Sequence, residues 1–151
     1  VANLVKKFLS KQDLKDVADA IAECEKRTSG EIRVAIRQKR SKKEHTHTVE
    51  QLARREFVHL GMVKTEDRTG ILIFIVLEAR EFFILADEHI NQKVGTSTWQ
   101  SIAQAMSTNF ARNEFRQGLL SAVRSVGDHL AMHFPVLPGD KNELSNKVGI
   151  S

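Results

Sequence analysis

Carboxylates are the side chains through which this sequence offers the most chemistry. Glu31, Glu66, Asp67, Asp87 and Glu88 stand in separate short segments beside apolar runs, with Asn91 just beyond. Hard cations such as calcium take roughly six to eight oxygen ligands, and carboxylates from different loops can supply several of them. A cation held in this way could also orient a phosphate and offset its charge, as a metal-assisted phosphomonoester hydrolase requires. No EF-hand spacing gathers these acids into one loop. A plainer reading therefore stands beside the first: solvated loop acids, one of them paired with Arg68.

Other chemistries find less support. His89, next to Asp87 and Glu88, is the histidine nearest the acids and a candidate general acid or base. His129 and His133 have i, i+4 spacing that can hold zinc, but Leu130 stands where a His-Glu-x-x-His site has its glutamate. A helix C-terminus favours histidine for its charge alone. His45 and His47 fall in a basic loop. Arg37, Lys39, Arg40, Lys42, Lys43 and Arg80 form a second group that could meet phosphates of a lipid surface or nucleic acid. That group lacks interleaved aromatics and the chain has no Tyr, so a solvated charge run is expected and nucleic acid is not. Ser29, Ser97 and Ser101 lack a nucleophile-elbow context. Cys24 is not followed by a Cys-x5-Arg arginine, and there is neither Asp-x-Asp-x-Thr nor Arg-His-Gly.

The elements that must position these residues follow from periodicity. With 151 residues, a formal net charge of +4 and one cysteine, the chain reads as one domain with a single core and no disulfide. Ser10 with Asp13 caps a helix running to about Thr28. Glu31 to Arg37 alternates as a strand with one face buried. The polar stretch Gln38 to His47 is an exposed loop. Thr48 with Gln51 caps a second helix, ended by Gly61. Ile71 to Leu77 reads as a strand buried on both faces. A short link, Glu78 to Glu81, joins it to Phe82 to Ala86, a hairpin partner near the sheet edge. Ser97 with Gln100 is expected to cap a third helix carrying Trp99 on its apolar face, and Phe115 to Leu130 forms a fourth. Gly118 and Gly127 lie within the fourth helix, where packing against the sheet would offset their helix cost of roughly 1 kcal/mol each.

A strand, helix, strand link of this length makes the first two strands parallel. The expected fold is a three-layer α/β/α sandwich over residues 1–135. Its small mixed sheet has two parallel strands plus an antiparallel hairpin strand, with helices on both faces. Residues 136–151 are expected to be a mobile tail. Strand directions then put Glu31, Glu66, Asp67, Asp87 and Glu88 at one edge and the basic residues at the other. No run approaches the ~18 apolar residues of a membrane span, and no signal peptide is evident, so a soluble domain is expected. The chain begins with Val1, which leaves room for a leader or anchor ahead of it.

Five segments together carry a family resemblance: Arg27-Thr28-Ser29-Gly30-Glu31-Ile32, Phe57-Val58-His59-Leu60-Gly61-Met62, Thr69-Gly70-Ile71-Leu72-Ile73, Ala86-Asp87-Glu88-His89-Ile90-Asn91, and the Phe110, Phe115, Gly118, Leu119 pattern. From about Leu4 to Pro135 the chain resembles the TPM domain family, small α/β domains of thylakoid-lumen proteins of photosystem II repair and of bacterial exported or membrane-tethered proteins. The resemblance implies calcium binding or acid phosphatase activity, a protein partner or membrane complex, and an exported or tethered location. Where the family commonly has a Gly-x-Gly-x-Glu turn after the third strand, this chain has Ala86-Asp87-Glu88-His89. The functional expectation is a binding or accessory module that takes calcium at Glu66, Asp67, Asp87 and Glu88. A metal-assisted acid phosphatase is the alternative.

Overall fold

The run Gly70-Ile71-Leu72-Ile73-Phe74-Ile75-Val76 forms β2, and every residue in it is buried. Branched apolar side chains suit a pleated surface covered on both sides, which makes this an interior strand. The computed structural model describes residues 3–64, 69–136 and 147–151. In it β1 (Glu31–Arg37), β2, β3 (Glu81–Ala86) and β4 (Gly149–Ile150) form a sheet of order β3-β2-β1-β4. β1 runs parallel to β2, with Glu31 opposite Gly70 and Arg37 opposite Val76. β3 is antiparallel to β2, with Ala86 opposite Ile71 and Glu81 opposite Val76, and it forms one edge of the sheet.

The described helices are α1 (Asn3–Lys6), α2 (Lys11–Glu25), α3 (Val49–His59), α4 (Glu88–Val94), α5 (Thr96–Ala111) and α6 (Phe115–His133). Alternation along the strands divides the core in two. Ala35, Leu72, Phe74, Val76 and Leu85 face α3 and pack on Leu52, Ala53 and Phe57. Ile32, Val34, Ile36, Ile71, Ile73, Ile75 and Ile84 face the layer built by α2, α5 and α6. This is the expected α/β fold with a mixed sheet covered on both faces.

The capping boxes at Ser10/Asp13 and Thr48/Gln51 form as the spacing predicts. The one expected at Ser97 does not. The helix starts two residues earlier, at Thr96 rather than Thr98, after Gly95 at φ 91, and Gly95 makes no side-chain cap. Gly118 and Gly127 are sites of close packing, but against helices rather than the sheet. A Cβ at Gly118 would lie 2.8 Å from Asn109 Cβ, and one at Gly127 2.3 Å from Cys24 Sγ. The polar tail also contributes structure, since Ser151 N–H donates to Ile36 C=O at 2.9 Å and Gln38 N–H to Ser151 C=O at 2.8 Å.

Candidate functional site

The candidate acidic edge is organised around Gly70. Glu31 lies opposite Gly70 across the parallel ladder, and its N–H donates to Thr69 C=O at 3.0 Å. On the other side, Asp87 N–H donates to Gly70 C=O at 2.9 Å. The two acidic residues thus flank one glycine, their backbones about two strand spacings, or ~10 Å, apart. Alternation along β1 and β3 sets both toward the α3 face, in line with Ala35 and Leu85. Both are buried, with 4% and 5% of their surface exposed. Gly70 has a further role here. A Cβ on it would lie 3.3 Å from Met62 Cε, so the missing side chain lets the fully buried Met62 close over the strand between the two acids.

Asp87 ends β3 and begins α4. Its backbone is extended (φ −60, ψ 155), and its Oδ1 accepts the Glu88 N–H at 2.7 Å as the helix cap. Glu88 follows at the first position of α4, with its side chain exposed. His89 meets the end of α6 instead, its ring edge-on to Phe134 at 5.8 Å. Asn91, one turn along, donates from Nδ2 to Ala86 C=O at 3.2 Å and accepts from Trp99 Nε1 at 2.9 Å. Glu66 and Asp67, together with Arg68, lie outside the described residues. Among the described residues, no group of three His, Cys, Asp or Glu side chains is placed to hold a metal ion.

The structure adds one acid that sequence reading missed. Glu25, the last residue of α2, turns back across the short connection to β1, and its Oε2 accepts the Ile32 N–H at 2.8 Å. Burial pushes the Glu25 carboxyl up to about 8; the neighbouring Glu31 adds to the rise, while the Ile32 N–H and Arg33 oppose it. Near neutral pH the half-buried Glu25 therefore keeps its proton beside Glu31. The available signal was the six-residue separation of two glutamates across a tight helix-to-strand turn, which returns the chain onto itself.

The TPM domain family model matches residues 4–129. The chain belongs to the TPM domain family. Its fold is also similar to the NMR structure of the BA42 protein from the psychrophilic bacterium Bizionia argentinensis, with 33% identity and a TM-score of 0.84 over 95% of this chain and 96% of that one. The N-terminal domain of a protein from P. gingivalis shares the fold at 15% identity and a TM-score of 0.69, over 84% of this chain and 79% of that one. Among curated proteins none matches this chain.

The opposite edge of this TPM domain is less cationic than its composition suggests. Arg37 Nη1 donates to Glu44 Oε1 at 2.6 Å, and Arg40 Nη1 to Glu81 Oε1 at 2.5 Å. The Arg37 guanidinium, followed by the Ser41 N–H, holds the Glu44 carboxyl at about 2, well below the usual carboxylate range. Glu44 sits in a one-turn helix, Lys42–Glu44, and is buried, as is Gln38, so the expected exposed loop is partly folded onto the sheet. Arg80 leaves this edge altogether. At φ 54 its backbone closes the hairpin, and its guanidinium lies over the rings of Phe8 at 5.3 Å and Phe115 at 5.7 Å. His129 is edge-on to Trp99 at 5.9 Å, a packing role within the helix layer. Among the described residues no helix is long and apolar enough to cross a membrane.

Proposed function

We propose that this TPM domain is a binding or accessory module that takes a divalent cation, calcium by its preference for oxygen, at the acidic edge. Asp87, Glu88, Glu66 and Asp67 supply the carboxylates. The observation that carries this reading is the convergence of buried Glu31 and Asp87 on either side of Gly70, at the lip where β1 and β2 begin and β3 ends. Carboxylates gathered at one lip raise the negative potential there, which favours positive charge beside them. In sequence, Glu66 and Asp67 precede Thr69 by three and two residues. A protein partner or membrane complex, as the family resemblance implies, would engage the loaded module.

Thermal unfolding with and without calcium, run beside a generic phosphomonoester assay, tests this. The module reading expects a calcium-dependent rise in Tm that saturates, without turnover. Turnover that falls with Asp87→Asn and returns with added metal would instead make the domain a metal-assisted phosphatase. Neither stabilisation nor turnover would remove the acidic edge as a site.

A further inference from the structure

The free edge of β3 presents a feature independent of the acids. In an antiparallel ladder, alternate residue pairs exchange both main-chain hydrogen bonds. The Asp87 N–H to Gly70 C=O bond makes that pair one of them, so Leu85, Phe83 and Glu81 direct their main-chain groups at β2. Ile84 and Phe82 direct theirs outward, where no described residue bonds to them. α3 and α5 rise on either side of this edge and enclose a cavity of about 470 Å³, with Val49 and Arg54 on one wall and Gln100, Ala103 and Gln104 on the other. The outward Ala86 C=O is already taken by Asn91, whose own oxygen is held by Trp99. The open ladder therefore stops there.

We propose that this groove docks an extended, weakly charged peptide segment of a partner protein, which adds to the sheet as a strand beside Phe82 and Ile84. Edge-strand addition draws its affinity from main-chain bonds and its selectivity from alternating side-chain pockets. Here one set of peptide side chains meets Ile84, Phe82 and Ala103, and the other meets Phe83, Leu85 and Val49. Most charges in the walls are engaged internally, Glu50 by Arg54 at 2.8 Å, Glu81 by Arg40 and the Arg80 guanidinium over the rings of Phe8 and Phe115, and Gln100 and Gln104 are neutral, so a strongly charged segment gains little. A second copy is a poorer occupant, because its β3 carries the same two helical walls into a groove sized for a lone strand.

The test is selection from a phage-displayed library of random dodecapeptides, followed by titration of the best synthetic peptide into ¹⁵N-labelled protein. Selected peptides should alternate apolar residues, and binding should slow hydrogen exchange at the Phe82 and Ile84 amides. Ala103→Trp, which fills the groove, should weaken binding by roughly tenfold or more; Gln104→Trp serves as a second block should the first variant not fold. Methylating alternate peptide amides should have the same effect in one register and none in the other. The proposal is overturned by no enrichment, by binding indifferent to both variants, or by protection of Phe82 and Ile84 that rises with protein concentration alone, which would make a second copy the occupant.

Discussion

Gly127 of α6 approaches Cys24 of α2 so closely that a Cβ there would lie 2.3 Å from Sγ and 2.8 Å from the cysteine Cβ. The contact sets the spacing of two helices in the layer over one face of the sheet. Burial pushes the Cys24 thiol pKa up, so the residue acts as a small apolar group rather than a nucleophile.

Gly127→Ala is expected to destabilise the domain by about 1–3 kcal/mol in urea unfolding, because overpacking a helix contact outweighs the gain in helix propensity. Removing the sulfur with Cys24→Ala in the same chain should recover part of the loss. An unchanged or higher stability for Gly127→Ala alone would show that the helices are free to separate.

Thr28 offers a second test of how the chain is held together before β1. Its hydroxyl accepts the Gly30 N–H at 3.0 Å and can donate to Phe134 C=O at 2.5 Å or Leu130 C=O at 3.1 Å, joining the end of α6 to the turn that launches β1. Thr28→Val keeps the shape and strands these buried groups, at a cost of about 1–3 kcal/mol. Thr28→Ser, which retains the hydroxyl, should lose only about 1 kcal/mol for its missing methyl. Equal losses for the two variants would refute the hydrogen-bonding role.

Glu25, half-buried beside Glu31, makes stability depend on pH in a defined window. A carboxyl whose folded-state pKa is raised keeps its proton in the native chain after the unfolded chain has released it. Stability tied to Glu25 is therefore fully present below about 4.5 and is lost as pH rises through about 8. Glu25→Gln retains an acceptor for the Ile32 N–H and removes the titration. Its unfolding free energy should be flatter across this window and exceed that of the parent at pH 8 by on the order of 1 kcal/mol. Parallel curves from chemical denaturation would rule out the raised Glu25 pKa.

The sheet was legible because its strands announce themselves. Glu31 to Arg37 alternates, Ile71 to Val76 is apolar throughout, and the short link before Phe82 forces a hairpin. The strand directions alone were enough to bring Glu31 and Asp87 to one lip. α4 was not legible, since only Ile90 of its seven residues is buried and no period can show. β4 has two residues, too few for any pattern. Arg80 and Arg40 were read as one basic group, yet the hairpin's backbone sends Arg80 to Phe8 and Phe115 while Arg40 finds Glu81. Composition counts charges; it does not say which are already paired. The same limit hid the partnership of Glu25 with Glu31, and Glu66 and Asp67 lie outside the described residues.

The most direct measurement of the proposed cation site is a calcium titration followed by amide NMR, comparing the parent chain with Asp87→Asn. Asn is as good a helix cap as Asp, so the substitution leaves α4 in place and removes only charge. Saturable shifts at the amides of Asp67, Asp87 and Glu88 in the parent, lost or weakened roughly tenfold or more in Asp87→Asn, are the expected result. Amides of Asp67 and Asp87 that stay unmoved as calcium rises to millimolar levels would contradict it.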